Sequence, residues 1–321
     1  MIVNLLLVGL GLVILLFAGD SLVKGAVNLA LRVGIPALIV SLTIVAFGTS
    51  APELLVSVKA ILDGAPGLAL GNVVGSNIAN VLLVLGVPAV LFGLVTRESD
   101  TRHSFIQMMV ATVLFITLAA IFGGYAWVQG LILLAGLAFM LGHAFRASMR
   151  HRKFGKDVEG DEIEELEGAD PDLAWWKIIL FLILGLVGLP LGANLLVENA
   201  TEIARTIGVS ETVIGLTLVA VGTSLPELAT TVMAAYRRQT DVVLGNVIGS
   251  NLFNLLGIIG VAALVGRIPV DPQMLRFDML VMFAASLLLA PFVFKGWHMG
   301  RVWGAAFVAL YVLYTVLVVA L

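Results

Sequence analysis

Long apolar runs, separated by short polar breaks, fill most of this chain. About 20 consecutive apolar residues are enough to cross the hydrocarbon core of a bilayer as a helix. On that ruler the pattern predicts ten spans, at 2–30, 36–62, 67–94, 103–122, 125–146, 174–205, 210–236, 240–265, 274–294 and 300–320. The expected fold class is therefore an all-α polytopic membrane protein. The first and sixth runs exceed what a perpendicular crossing needs and are expected to tilt. The first starts at Met1, is longer than a signal-peptide core and shows no small-residue cleavage site, so it reads as a span.

Five spans precede the polar stretch 147–173 and five follow it. The chain thus divides into a first repeat (1–146), a linker (147–173) and a second repeat (174–321). One stretch occurs in both repeats. Gly48-Thr49-Ser50-Ala51-Pro52-Glu53-Leu54, followed by Gly71-Asn72-Val73-Val74-Gly75-Ser76-Asn77-Ile78-Ala79-Asn80, returns as Gly222-Thr223-Ser224-Leu225-Pro226-Glu227-Leu228 and Gly245-Asn246-Val247-Ile248-Gly249-Ser250-Asn251-Leu252-Phe253-Asn254. Every matched pair keeps one offset, from Gly48 against Gly222 to Asn80 against Asn254, and 18 of 39 positions from Gly48 and Gly222 onward are identical without a gap. Such agreement marks an internal duplication. Because each copy holds an odd number of spans, the second enters the membrane from the opposite side. Ten helices as two inverted five-helix repeats is an arrangement of secondary transporters, whose sites lie near the midplane.

Composition agrees with this reading. The 321 residues are 60% hydrophobic and 12% charged, with a mean hydropathy of +1.09, more apolar surface than a soluble core can hide. The 34 glycines suit close helix packing in lipid, and the absence of cysteine excludes disulfides and thiolate metal sites. The net charge of −3 changes nothing. The distribution of basic residues does. With the N-terminus outside, thirteen Lys and Arg fall at inner ends, against Lys59, Arg205, Arg267 and Arg276 at outer ends. The positive-inside rule then puts both termini outside and the 147–173 linker in the cytoplasm. That linker turns from basic to acidic, matches no EF-hand loop, and reads as a solvated tether.

The chemistry concentrates in the doubled stretch. Glu53 and Glu227 are the carboxylates at the middle of the second and seventh spans. A charge at a helix centre costs at least ~2.5–3.5 kcal/mol on insertion scales, so each marks a functional site. No Lys or Arg sits at their depth. Lys24 on the first span aligns at the same offset with Glu198 on the sixth, and the two are expected to face each other or lipid headgroups. Pro52 and Pro226 can give no hydrogen bond to the carbonyls of Gly48 and Gly222. The helix should break there and leave oxygens that must face protein, water or an ion. Thr49 and Ser50 precede Glu53 by one helical turn and share its face. Ser76 and Asn80 are four residues apart on the next span, and Ser250 and Asn254 repeat this.

The pooled donors are carboxylates, hydroxyls, amides and carbonyls, all hard oxygens. They suit Ca²⁺ or Na⁺ and not the soft-ligand metals. Two ionised glutamates are neutralised by one Ca²⁺ or by two Na⁺. Competition for shared ligands would then give antiport without a separate coupling device.

These motifs resemble the alpha repeats of the cation/calcium exchanger superfamily, most closely its sodium/calcium exchanger branch in a short prokaryotic form. The resemblance covers the whole chain. It implies Ca²⁺ held by Glu53 and Glu227 with the carbonyls of Thr49 and Thr223. Flanking Na⁺ sites would use Ser50, Ser76 and Asn80 from one half and Ser224, Ser250 and Asn254 from the other, completed by the carbonyls of Ala46 and Ala220. It further implies a multi-pass protein of a prokaryotic plasma membrane, monomeric, without cofactor, nucleic acid or obligate protein partner. The first and sixth helices would slide to alternate access, and exchange would be electrogenic. Potassium-dependent members typically carry Asp at the position of Asn254, so the resemblance implies independence from K⁺. A proton/calcium antiporter using the same two glutamates is the alternative. An intramembrane hydrolase at Ser50 or Ser224 lacks a base at that depth. A passive channel fits inverted, broken helices less well than alternating access does.

Overall fold

A computed structural model of the chain describes residues 1–96, 101–154, 170, 172–208 and 220–320. Its helices are α1 (Ile2–Val33), α2 (Ala37–Thr49), α3 (Ala51–Leu62), α4 (Pro66–Leu91), α5 (Arg102–Phe122), α6 (Trp127–Phe154), α7 (Trp175–Thr206), α8 (Ala220–Gly222), α9 (Leu225–Tyr236), α10 (Thr240–Val265), α11 (Met274–Lys295) and α12 (Arg301–Ala320). Among the described residues eight are long and apolar enough to cross a membrane, nine if α2 and α3 count as one span bent by 43°. Each coincides with an expected span. The seventh, 210–236, is seen from Ala220 onward, and its residues 210–219 lie outside the described set.

The expected linker starts later than 147, because α6 continues to Phe154. Residues 155–169 and 171 lie outside the described set. Where the chain is described again, the Asp170 backbone N–H donates to Asn28 Oδ1 on α1 at 2.8 Å.

Helices α4 and α10, which carry the Gly-Asn motifs, sit at the centre, with 78% and 89% of their apolar windows buried. Helices α1 and α7 have 32 residues each. At about 48 Å they outrun ~30 Å of hydrocarbon. They cross each other through glycine. A Cβ on Gly11 would stand 2.8 Å from the Leu196 backbone nitrogen, and one on Gly185 2.5 Å from Leu22 Cβ. Gly11 and Gly185 correspond at the repeat offset, as do Leu22 and Leu196. The same correspondence joins Gly86 against Gly304 to Gly260 against Gly130, both with backbone at the distance of a Cβ. It also joins the bridge Leu94–Met299 to the pairing of Tyr125 with Ile268 between β1 (Gly124–Tyr125) and β2 (Ile268–Pro269).

One ion-pair cluster was not foreseen. Asp20 on α1 pairs with Lys24 one turn on, at 3.0 Å, and with Arg237 at the end of α9. Lys24 is thus held by Asp20 and not by Glu198, which is exposed. Intrahelical i, i+4 spacing supplies the nearer carboxylate.

These close crossings set an expectation. Gly304→Ala would put a methyl 2.6 Å from the Val90 backbone nitrogen, where neither helix can give way. It should cost about 1–3 kcal/mol, as overpacking does. Gly9→Ala, with nothing within 4 Å, should leave stability unchanged. Thermal unfolding of both variants in detergent checks this, and equal midpoints would contradict it.

Candidate ion-binding site

The doubled motif folds as two matching helix breaks. Helix α2 ends at Thr49, and Ser50 leaves helical geometry at φ −84°, ψ 4°. Helix α8 ends at Gly222, and Ser224 adopts φ −89°, ψ 4°. The break therefore falls two residues after the glycine, at the serine. Proline then stands in the first turn of the new helix, where a missing N–H costs nothing. Glu53 and Glu227 become the third residues of α3 and α9. There the positive end of the helix dipole favours a carboxylate. The signal was present in the sequence: Ser-x-Pro-Glu is a capping-box pattern, with serine at the cap and glutamate at the third helical position. In neither copy does the serine cap its own helix. Ser50 Oγ instead donates to Glu227 Oε1 at 3.1 Å, across the two halves.

Both glutamates are buried, at 1% exposure each, and Ser50, three residues before Glu53, reaches Glu227. Among the described residues they are the only buried Asp, Glu, Lys, Arg or His, so no protein cation neutralises them. Thr49, Ser50, Ser76, Asn80, Ser224, Ser250 and Asn254 are likewise buried. Several of their oxygens have no hydrogen-bond partner: Glu53 Oε2, Glu227 Oε2, Asn80 Oδ1, Ser224 Oγ, Ser250 Oγ and Asn254 Oδ1. A buried polar atom left unpaired costs ~1–3 kcal/mol, so each of these atoms is open to a further partner.

The remaining expected ligands are placed as follows. Thr223 is half-buried on the second break, and Ala220 begins α8. The Ala46 carbonyl already accepts the Ser50 N–H at 3.0 Å and Thr49 Oγ1 at 3.3 Å. In this conformation both its lone pairs are engaged within the protein.

Two features of the site went unread in the sequence. The chain runs as π-helix over Asn80–Val84 and Phe253–Ile258, beginning within one residue of equivalent positions. Such bulges often occur at functional sites, and no residue pattern announces them. The Gly-Asn asparagines also brace the glutamate helices. Asn72 Nδ2 donates to Ser57 Oγ at 3.3 Å, and Asn246 Nδ2 donates to Thr231 Oγ1 at 3.1 Å and to the Glu227 carbonyl at 3.4 Å. Asn246 Oδ1 in turn accepts from Thr49 Oγ1 at 3.4 Å, joining the halves. Their repetition three or more turns from the glutamates was the available signal.

Two buried carboxylates and a shell of unpaired oxygens, inside a bundle of membrane-length helices, define a membrane transporter of hard cations. The family described as "Sodium/calcium exchanger protein" matches the chain twice, over residues 3–146 and 177–320, and the chain belongs to that family. The second match starts and ends at the repeat offset from the first, 177 against 3 and 320 against 146. The chain is 35% identical over 347 aligned positions to the sodium/calcium exchanger MaX1 of Methanosarcina acetivorans, covering 98% of each. It is 33% identical to the inner membrane protein YrbG of Escherichia coli K12, covering 89% of this chain and 86% of that one. Among solved structures, the sodium-calcium exchanger NCX_Mj soaked with zero Na⁺ and Ca²⁺ superposes with a TM-score of 0.81 at 32% identity, covering 97% of both chains. The protein is a cation/calcium exchanger, a transporter and not an enzyme.

The asymmetry between the serines can be measured without transport. In detergent free of Na⁺ and Ca²⁺, Ser50→Ala removes a donor to a buried carboxylate and should destabilise by about 1–3 kcal/mol. Ser224→Ala removes an unpartnered hydroxyl and should be neutral or stabilising. Equal losses in the two melting curves would contradict the arrangement described.

Proposed function

We propose that the protein exchanges Na⁺ for Ca²⁺ across a prokaryotic plasma membrane by alternating access, electrogenically and independently of K⁺. The observation that carries this reading is the pair of buried carboxylates, one from each half, with no buried Lys, Arg or His among the described residues. One Ca²⁺ or two Na⁺ neutralises the pair. Ions of both kinds compete for the same oxygens, so release of one is the condition for binding the other.

In this reading Ca²⁺ lies between Glu53 and Glu227, with the carbonyls of Thr49 and Thr223. The Na⁺ sites use Ser50, Ser76 and Asn80 on one side and Ser224, Ser250 and Asn254 on the other. The carbonyls of Ala46 and Ala220 join them once the local hydrogen bonds rearrange. Transport of more sodium than calcium charge makes the cycle electrogenic. Asn254, an amide and not an acid, leaves two titratable ligands and supports independence from K⁺.

The architecture proposed is ten helices as two inverted five-helix repeats with both termini outside. It is supported by the family's double match, by the five-plus-five division and by the paired contacts that recur at the repeat offset. The glycine-lined crossing holds α1 and α7 together as a pair, and in this reading that pair slides as a unit against the bundle. No second protein is required by the site, and the reading is of a monomer working in lipid.

The test is calcium uptake into proteoliposomes loaded with sodium and diluted into sodium-free buffer, beside a parallel proton gradient. Uptake should follow the sodium gradient and quicken with an inside-positive potential. Uptake driven by protons alone would move the protein to the proton-coupled reading. Glu53→Gln and Glu227→Gln should each abolish uptake in protein that still folds, and undiminished transport in either would remove the central assignment. Asn254→Asp should make transport sensitive to potassium or pH. Rates equal to the parent across both would remove the argument from Asn254.

A further inference from the structure

Each amide expected to face an ion is preceded by another asparagine three residues earlier in the same motif. Asn77 precedes Asn80 and Asn251 precedes Asn254, and all four are buried. An asparagine amide offers one oxygen acceptor and one NH₂ with two donors. A cation takes only the oxygen, so the NH₂ must be held elsewhere.

In one half it is. Asn80 Nδ2 donates to Asn251 Oδ1 at 3.1 Å, which leaves Asn80 Oδ1 buried and unpartnered. Asn251 can meet Asn80 only through its oxygen, because its own Nδ2 is directed at the Asn77 carbonyl at 3.5 Å and at Met108 Sδ at 3.7 Å. Asn77 is fixed in the same sense. Its Nδ2 donates to the Val73 carbonyl at 2.7 Å, so the atom it presents is Oδ1.

At the repeat offset, the counterpart of the Asn80–Asn251 bond joins Asn254 to Asn77. That bond is not made. Asn77 Oδ1 and both polar atoms of Asn254 are buried without partners, an acceptor and a donor that no other group of the described protein satisfies.

We propose that Asn251 and Asn77 are positioning residues, which turn the amides of Asn80 and Asn254 oxygen-first toward sodium, and that the Asn251 clamp is closed here while the Asn77 clamp is open. The inference rests on the exchanger reading given above. Closing the second clamp satisfies the two atoms left over and fixes the Asn254 oxygen for an ion. Exchange of closed and open clamps between the halves is the change that inverted repeats make available. Neither Asn77 nor Asn251 touches the ion, and each acts through its partner amide.

A double-mutant cycle separates this role from simple packing. In proteoliposomes, half-saturating sodium for calcium uptake is compared in wild type, Asn80→Ala, Asn251→Ala and the double variant. The same set is run for Asn254 and Asn77. Loss of the residue orienting a metal ligand typically costs 10–100-fold in affinity. Asn251→Ala should therefore raise half-saturating sodium at least ~10-fold, leave half-saturating calcium within about twofold, and add nothing to Asn80→Ala. Asn251→Asp keeps an acceptor opposite Asn80 and should recover most of the sodium dependence. Additive losses in the cycle, or equal losses for sodium and calcium, would overturn the proposal. The Asn77 arm tests it independently if the Asn251 variant does not fold. Wild-type protein without sodium-driven uptake would overturn the exchanger reading instead. The sodium-induced rise in melting temperature of the same variants, against choline chloride in detergent, then decides the clamp alone by the same additivity criterion.

Discussion

Two buried carboxyl groups, one from each half of a membrane protein, form the constraint on which the rest of the structure depends. A lone carboxylate at a helix centre already costs ~2.5–3.5 kcal/mol, and here there are two, Glu53 and Glu227, both buried. The protein does not relieve this with a lysine or arginine. It relieves it in part by breaking both motif helices immediately before the glutamates, so that each carboxylate stands at the positive end of a new helix. Ser50 adds a hydrogen bond to Glu227 from the opposite half. The remaining deficit is what a bound cation removes. A site fully neutralised by its own residues would have no reason to take one up.

The break also explains the composition of the motif. Proline inside a continuous helix would forfeit a hydrogen bond and clash. At the second residue of a new helix it does neither, and it forbids the chain from healing the break. Serine at the junction makes no cap hydrogen bond in either copy. Its hydroxyl can then turn outward to the other half or to an ion. Glycine enters on different grounds. Where α4 meets α12 and α10 meets α6, a Cβ would meet backbone at 2.6–3.3 Å, so glycine there allows the central helices to be enclosed without displacing the site.

Much of this was legible because apolar run length and gapless duplication are strong signals. Nine of the ten expected spans coincide with described helices, and the polar residues repeated in both copies are mostly buried. What escaped were contacts between elements distant in sequence. Asp20 pairs with Arg237, more than two hundred residues away, only because the fold brings α9 to α1. Lys24 was assigned to Glu198 by the repeat offset, although a carboxylate one turn away on its own helix is the nearer partner. The asparagine clamps depend on which amide atom faces which, and composition says nothing about that. The π-helical turns after Asn80 and Asn254 are set by packing around the site.

The repeat also fails in an informative place. At the repeat offset, Asp20 corresponds to Asn194 and Arg237 to Asp63. The second pair contains no cation, and Asp63 is engaged by Lys59 on its own helix at 2.7 Å. The two halves therefore agree in the helix crossings but differ here: α1 is tied to α9 by charge, and among the described residues Asn194 and Asp63 form no equivalent tie between α7 and α3. In the alternating-access scheme proposed above, the two end states interchange the environments of the halves. A tie present on one side alone cannot contribute equally to both. The core symmetry supplies two states of comparable construction, and the one-sided tie supplies the means for one of them to be preferred when no ion gradient is applied.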